Sequence, residues 1–257
     1  MKRELFIDEF IVPFTPLTEL EGIAQGYAII KTAEDLENIA NQSYQYPFNI
    51  KLLLLNNISY IDKTQLLFIG GCELNGNGNT ITTNRVVFVE IGAPSYELCS
   101  CINLKVSLTS TIAQPAIAKV VLDSVIDNCI IDIKHSQAGK WGGITDEVLN
   151  STIKNCNVRI DSPVNGSPCG AITNLNIHDS SIENCFVEIK LTHYGHYAYF
   201  GSIAYNSIDS TIKKCTAIIR GDVMGGLYSY SMHLCPVLQD NSIILESECY
   251  FKMENDG

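Results

Sequence analysis

The decapeptide SSIENCFVEI at residues 180–189 decides the fold, because the chain repeats its pattern. Related decapeptides are SVIDNCIIDI at 124–133, STIKNCNVRI at 151–160 and STIKKCTAII at 210–219. The sixth residue is the same in all four copies, at spacings of 27, 29 and 30 positions: Cys129, Cys156, Cys185 and Cys215. A period of this length is typical of solenoids, in which each repeat stacks on the next.

Aliphatic residues recur at fixed places around these cysteines. We align Cys101 upstream and Asn241 downstream with the cysteine column, and the residues three places earlier are Leu98, Ile126, Ile153, Ile182, Ile212 and Leu238. The last repeat then ends with Ile243 and Leu245 on the core side. Two more columns lie between the cysteine strands: Ile117, Ile144, Ile172, Ile203 and Leu227, and then Leu122, Leu149, Ile177, Ile208 and Met232. Each period holds about three short strands, so we predict an all-β fold, a right-handed parallel β-helix of about six or more rungs.

The spacing inside the decapeptide predicts a bend. Ile126 and Cys129 are three residues apart, and both can face inward only if the chain turns at Asn128. Asparagine tolerates the left-handed conformation of such a turn, and stacked asparagines can form an amide ladder. We therefore predict corners at Asn128, Asn155 and Asn184. We also predict free, inward-facing thiols in the cysteine column, because parallel side chains on neighbouring rungs do not suit disulfide geometry.

Outward charges alternate in sign from one repeat to the next. The residues before the corner are Asp127, Lys154, Glu183 and Lys213, and five places further on lie Asp132, Arg159 and Glu188. Lateral pairs of opposite charge stabilise a sheet modestly and help to define its register. We interpret these charges as structural ion pairs.

The two ends of the chain differ from the repeats. The segment KTAEDLENIANQ predicts a short helix over 33–41 that caps the N-terminal end of the core, with Thr32 and Asp35 as its capping box. We divide the chain into an N-terminal arm (1–26), the helix cap and first rungs (27–83), the β-helix repeats (84–246) and a C-terminal tail or cap (247–257).

Several segments resemble a known family. IKTAEDLENIA at 30–40, the apolar strand after it and ELNGNGNTI at 73–81 resemble the opening of bacterial GLUG-repeat β-helix proteins. GGITDEVLNSTIKNCNV at 142–158 is similar to their repeat, and the resemblance covers roughly residues 29–245. It implies the β-helical fold. It also implies surface or adhesive proteins without chemistry of their own.

Composition and charge narrow the classes of partner. The 257 residues carry a net charge of −11 and no Lys/Arg cluster, which argues against direct binding of nucleic acid. No apolar stretch is long enough to cross a bilayer, and Asp8 and Glu9 interrupt any signal-peptide core. A column of unpaired cysteines fits a reducing compartment. We therefore predict no membrane partner and a cytoplasmic location, the host cytosol if the chain is phage-encoded.

The sequence predicts no catalytic residue, no metal site and no cofactor. Its five histidines form no metal-binding motif, and GNGN at 76–79 lacks the lysine of a phosphate loop. Inverting glycosidases use carboxylates about 6.5–9.5 Å apart. Two pairs come close to this spacing, at two rungs or ~9.6 Å, but a cation lies between the members of each: Asp127/Glu183 and Asp132/Glu188. We therefore predict that the chain is not an enzyme.

Two connections are rich in tyrosine and histidine. KLTHYGHYAYFG at 190–201 is the longest link between rung strands, and LYSYSMH at 227–233 follows one rung later. Tyrosine is enriched at binding hot spots, so we predict a binding patch formed by His193, Tyr194, His196, Tyr197, Tyr199, Tyr228 and Tyr230. Two alternatives remain: packing of the loops on the rungs, and a metal site at His193 and His196.

These observations predict a non-catalytic, intracellular, protein-binding β-helix whose partner is another protein. A phage-type inhibitor or decoy, acting on a host protein through an acidic, tyrosine-containing surface, is the form we favour. The alternative is a surface carbohydrate-binding or polysaccharide-cleaving β-helix, or an adhesin module, that uses the same tyrosines.

Overall fold

A computed structural model describes residues 11–38, 49–63, 66–68, 71–92, 98–136, 142–162, 169–191, 200–221 and 232–253. Its strands, numbered in chain order, form three large parallel sheets around one apolar core. Neighbouring strands of a sheet come from successive turns of the chain, so the predicted parallel β-helix is confirmed. Its predicted right hand agrees with the general rule that crossovers between parallel strands are right-handed.

Each sheet takes one strand from each turn. Sheet I contains β1 (Tyr27–Ile30), β2 (Lys51–Leu54), β5 (Glu73–Asn75), β8 (Cys99–Ile102), β11 (Ser124–Asp127), β14 (Thr152–Lys154), β18 (Ser181–Glu183), β22 (Thr211–Lys213) and β26 (Ile243–Leu245). Sheet II contains β3 (Ile58–Tyr60), β6 (Thr80–Thr83), β9 (Lys105–Ser110), β12 (Ile130–His135), β15 (Asn157–Ser162), β19 (Phe186–Leu191), β23 (Thr216–Gly221) and β27 (Glu248–Met253). Sheet III contains β4 (Leu66–Phe68), β7 (Phe88–Ile91), β10 (Ala118–Leu122), β13 (Thr145–Leu149), β17 (Thr173–His178), β21 (Ala204–Ile208) and β25 (Val237–Gln239). A small fourth sheet contains β16 (Cys169–Gly170), β20 (Phe200–Gly201) and β24 (Met232–His233).

Two short helices precede the repeats. Helix α1 (Glu19–Ala24) begins at Thr18, whose hydroxyl accepts the Glu21 N–H in a capping box that our prediction missed. The predicted cap helix is present over 33–38, and Leu36 is buried in the core. Its capping box is confirmed, since the Asp35 N–H lies 3.1 Å from Thr32 Oγ1 and the Thr32 N–H lies 2.9 Å from Asp35 Oδ2. Among the described residues, no helix is long and apolar enough to cross a membrane.

Each rung turns at two corners of left-handed backbone. The corner between sheets I and II, here called the amide corner, has positive φ at Asn77, Asn103, Asn128, Asn155 and Asn184. The corner between sheets III and I, here called the acidic corner, has positive φ at Asp123, Asn150, Asp179, Asp209 and Asp240. The predicted bends at asparagine are therefore confirmed, and a second set of bends accompanies them.

The cysteine column faces the core as predicted. Cys129, Cys156, Cys185 and Cys215 are fully buried, and none of them forms a disulfide. Burial raises the pKa of the Cys156 thiol well above its usual value, so this side chain packs as a neutral thiol.

Three predicted alignments are wrong at the edges of the repeat. Cys101 pairs with Ile126 rather than with Cys129, because leucine (Leu104) takes the cysteine place in that rung and Cys101 takes the place three residues earlier. In the last rung Ile212 pairs with Ile244 rather than Leu238, and Ile219 pairs with Phe251. The cysteine column continues at Ser247, whose hydroxyl accepts the Cys215 N–H, so this period is 32 residues rather than the predicted 26.

The two remaining columns also need correction. In sheet III the pairing runs Leu122, Leu149, His178 and Ile208, and these side chains face outward, half-buried. The inward positions are the preceding ones, so Ile177 faces the core whereas Leu122, Leu149 and Ile208 do not. Met232 pairs with Phe200 rather than with a strand of sheet III. The column of Ile117, Ile144, Ile172 and Ile203 is confirmed by backbone hydrogen bonds, but its next member is Leu234. The predicted member Leu227 lies outside the described residues.

Candidate binding groove

The seven residues of the predicted binding patch cannot be placed. His193, Tyr194, His196, Tyr197, Tyr199, Tyr228 and Tyr230 all lie outside the described residues, in the gaps 192–199 and 222–231. The gap at 192–199 follows directly after β19 of sheet II.

A groove of about 410 Å³ lies on the outer face of sheet II. It crosses five strands, from β9 to β23, which corresponds to a length of about 19 Å at the usual strand spacing. We call it the charged groove, and its outward-facing residues are Ser107, Thr109, Asp132, Lys134, Arg159, Asp161, Glu188, Lys190 and Arg220.

Charges in this groove alternate both along the stack and across each strand. Three successive strands contain the tripeptides Asp132-Ile133-Lys134, Arg159-Ile160-Asp161 and Glu188-Ile189-Lys190, in which the central isoleucine faces the core. The strands pair in register, so each charged side chain has an opposite charge on the neighbouring rung. The arrangement is a checkerboard of carboxylates and cations.

The first charged column of the groove consists of Asp132, Arg159 and Glu188, and its contacts follow the predicted ladder. Arg159 Nη1 lies 3.9 Å from Asp132 Oδ1, and Arg159 Nε lies 3.8 Å from Glu188 Oε2. On sheet I, Lys154 Nζ lies 3.4 Å from Asp127 Oδ2, and Lys154 pairs in register with Glu183. The central arginine therefore contacts both members of the carboxylate pair that we compared with a glycosidase site.

The checkerboard breaks at β23. Arg220 pairs in register with Lys190, so two cations lie on neighbouring rungs of the second column. Arg220 compensates by reaching across, and its Nε lies 2.5 Å from Glu188 Oε1. Lys134 and Lys190 are exposed and make no ion pair with any described residue. The groove therefore has four cations against three carboxylates, in a chain of net charge −11.

The acidic corner carries a second, shallower depression. Its lining includes Asp179, Asp209 and the hydroxyls of Thr152 and Ser181. The carboxylates already have partners, since Asp179 Oδ2 lies 2.8 Å from His178 Nδ1 and Asp209 Oδ1 accepts the Asn241 side-chain amide at 2.8 Å. No group of three or more His, Cys, Asp or Glu side chains suited to a metal ion occurs in the part of the chain that the structure describes.

Sequence reasoning missed the second charged column. Lys134, Asp161 and Lys190 lie two residues after the ladder positions Asp132, Arg159 and Glu188, and Arg220 pairs in register with Lys190. The signal was present as charge, isoleucine, opposite charge in three aligned strands. It becomes a groove only when the strands are known to stack in register.

The chain matches no protein-family model and no curated protein. A solved structure from Bacteroides ovatus, described as a "putative immunoglobulin A1 protease", matches 88% of this chain and 86% of its own length. The two chains share 16% sequence identity with a TM-score of 0.48. Membership in the GLUG-repeat family stays a prediction.

This comparison contradicts one prediction. We predicted that the chain is not an enzyme, whereas the similar chain is described as a protease. At this identity the similarity assigns no catalytic role to any residue of this chain.

Proposed function

We propose that the chain binds another protein through the charged groove of sheet II. The observation that carries this proposal is the mixed charge of the groove. Cations and carboxylates alternate along and across it, and the surplus is a single positive charge. Complementary surfaces place opposite charges face to face, so the ligand must carry both signs in a fixed order.

A protein segment satisfies this requirement better than a polyanion. A uronate or sulfated glycan, or a nucleic acid, presents negative charge only, and it would meet Asp132, Asp161 and Glu188 along the whole groove. Like charges brought together at an interface are unfavourable and discriminate against a ligand. A peptide can instead place a basic side chain opposite each carboxylate.

The second column suggests the order of charges in the partner. Lys134, Asp161, Lys190 and Arg220 follow one another on adjacent rungs. The complement is acid, base, acid, acid. The two adjacent cations, which repel each other in the free protein, are the natural place for the acidic end of the segment. Lys190 is also the first residue of the predicted tyrosine-rich connection at 190–201, whose role in binding stays part of the proposal.

We propose more specifically that the chain is an inhibitor or decoy that acts in a reducing compartment. The support for this form is the set of described cysteines that form no disulfide, and the net charge of −11. The test of this form is whether a partner captured through the groove loses its own activity.

Selection from a random peptide library displayed on yeast tests the groove directly. We expect enriched peptides to carry both signs of charge with an acidic surplus. Lys190→Glu should weaken their binding by about tenfold, equivalent to roughly 1.4 kcal/mol, because it replaces an attraction by a repulsion. Lys119→Glu is the matched control, since Lys119 is an exposed lysine in β10 of sheet III.

Two outcomes would count against the proposal. One is equal weakening by Lys119→Glu, which would indicate a response to net charge alone. The other is a purely anionic polysaccharide such as polygalacturonate binding more tightly than every selected peptide and losing affinity in the Lys190→Glu variant. That result would mean that the groove binds an anionic glycan rather than a protein.

A further inference from the structure

The segment 11–17, here called the strap, crosses the amide corner and is held there through its backbone. Asn128 Oδ1 accepts the Val12 N–H at 2.7 Å, and Asn128 Nδ2 donates to the Val12 carbonyl at 2.8 Å. Asn77 repeats the same pair of bonds with Leu17, at 2.7 and 2.9 Å. Each asparagine amide therefore holds one residue of the strap as a neighbouring strand would.

An aromatic ring lies between the two amide contacts. Phe14 packs on Gly78, where a Cβ atom would lie only 3.0 Å from Phe14 Cζ. Gly78 has a φ of +76° and belongs to the GNGN segment, which has no phosphate-loop lysine. This segment therefore contains both Asn77, which bonds to the strap, and Gly78, on which the Phe14 ring packs.

The strap also changes the amide ladder. Asn128 Nδ2 donates to Asn103 Oδ1 at 2.8 Å, and Asn184 Nδ2 donates to Asn155 Oδ1 at 2.7 Å. Asn155 Nδ2 does not continue this pattern to Asn128 but donates to Asp127 Oδ1 at 2.7 Å. The ladder is interrupted where the amide oxygen of Asn128 accepts the strap.

Little of the strap itself is buried. Val12 is 47% exposed and Phe14 is 38% exposed, and both residues held by asparagine are held through main-chain atoms alone. Such contacts place no demand on the side chains at positions 12 and 17, beyond a free N–H at each. They do demand an extended backbone with an aromatic residue two places after the first held residue.

We propose that the amide corner is a docking site for an extended peptide, and that the strap occupies it as a replaceable ligand. Asn128 and Asn77 bind the main chain of the first and sixth residues of the peptide, and Gly78 receives the ring of the third. The occupant is the segment 11–17 of this chain. The site shares no residue with the charged groove, and the proposal does not rest on the function assigned to that groove.

A full-length chain with a weakened strap tests the site. Val12→Pro removes the N–H that Asn128 accepts, and Phe14→Ala removes the ring, while the corner is unchanged. A fluorescent peptide of residues 11–18, IVPFTPLT, should then bind to the Val12→Pro/Phe14→Ala chain, measured by anisotropy. Adding Asn128→Gly should weaken this binding by about tenfold or more. Glycine is chosen because it keeps the positive φ of the corner and loses only the amide.

Asn155→Gly is the matched control, because Asn155 occupies the same corner but its side-chain amide bonds to Asp127 and Asn184 instead of the strap. It should leave peptide binding unchanged. The peptide with alanine at the phenylalanine position should bind about tenfold more weakly. Failure of the peptide to bind a strap-weakened chain that keeps its wild-type melting temperature would overturn the proposal, since the strap would then be a fixed part of the fold.

Hydrogen exchange gives a second measurement that needs no added peptide. In the otherwise unchanged chain, Asn128→Gly should accelerate exchange of the Val12 amide, and Asn77→Gly should accelerate exchange of the Leu17 amide. Asn155→Gly should affect neither amide. Equal exchange rates in all three variants would contradict the two amide contacts on which the site depends.

Discussion

Serine follows the acidic corner in four successive rungs, and its hydroxyl completes the turn. The Ser151 hydroxyl donates to the Leu149 carbonyl at 2.7 Å and accepts the Ser124 N–H at 3.0 Å. Ser180 and Ser210 repeat this pattern one and two rungs later. Buried polar groups need such partners, so a small hydroxyl residue is required five places before each cysteine. The sequence contains this serine column, but we did not interpret it.

His135 is a residue whose burial should control stability in acid. Its Nε2 faces the Gln114 carbonyl at 3.2 Å, and its Nδ1 is buried with no hydrogen-bond partner among the described residues. Burial lowers the pKa of His135 from 6.5 to about 4, and the Gln114 carbonyl opposes this shift only in part. The folded protein therefore keeps a neutral imidazole at a pH where the unfolded chain is protonated.

We expect the pH dependence of unfolding to report this histidine. Its contribution is fully present above the unfolded value near pH 6.5 and is lost as the pH falls towards 4. The loss amounts to at most about 3 kcal/mol. In urea titrations from pH 7 to pH 4.5, His135→Gln should show a shallower decline in unfolding free energy than the wild type. Parallel declines would contradict the assignment, whatever the absolute stability of the variant.

At the scale of the strand, a column of side chains is the unit that determines register. Asp127, Lys154 and Glu183 stack on adjacent rungs, although only the first two approach closely, at 3.4 Å. These side chains are partly exposed, so each pair contributes modestly and is screened by salt.

Lys154→Glu should therefore destabilise the fold by about 1 kcal/mol in low salt, because three like charges would stack in one column. The urea midpoint measures this change, and added salt should reduce it. Glu183→Lys combined with Lys213→Glu in the same chain should recover part of the loss, because Glu183→Lys alone would place two cations on neighbouring rungs. Repair at Asp127 is less suitable, since its carboxylate also accepts the Asn155 amide at 2.7 Å. If Lys154→Glu does not change the unfolding free energy in low salt, the lateral ion pairs of this column do not contribute to stability.

The central strands were predictable because composition and spacing agree there. Ile126, Asn128 and Cys129 specify an inward residue, a left-handed corner and a second inward residue, and the structure contains all three. Prediction failed where a single column had to be extended by counting. We aligned Cys101 with Cys129 because both are cysteines. The residues equivalent to the corner Asn128 and to Cys129 are in fact Asn103 and Leu104. Sheet III failed because a one-residue shift exchanges the two faces of a strand.

At the scale of the molecule, the sheet faces differ in what the sequence reveals about them. The charged groove depends on the registration of five strands, and the strap depends on contacts between residues 116 positions apart. A local sequence pattern reveals neither the register of five separate strands nor a contact across 116 positions. The corners at Asn128, Asn155 and Asn184, in contrast, are local requirements of the backbone, and they were predicted individually, whereas the acidic corner was not.

A solenoid transmits stability only between neighbouring rungs, so its ends should open before its centre. The cysteines report this directly, because thiols lie both in the middle of the stack and in its last rung. Cys156 is fully buried in the middle, whereas Cys249 is half-buried in β27, the last strand of sheet II. Burial raises the pKa of both thiols, so both must be exposed by opening before they react as thiolates.

We expect a maleimide pulse in native buffer to label Cys249 about tenfold faster than Cys156 or more, as read by mass spectrometry of the peptides. The reason is that release of β27 breaks contacts with one neighbouring strand, β23, whereas exposure of Cys156 requires separation from rungs on both sides. The control is denatured, unreduced protein, in which both thiols should label fully because neither forms a disulfide. Equal native rates would show that the β-helix opens as one cooperative unit, and the nearest-neighbour description would then fail for this chain.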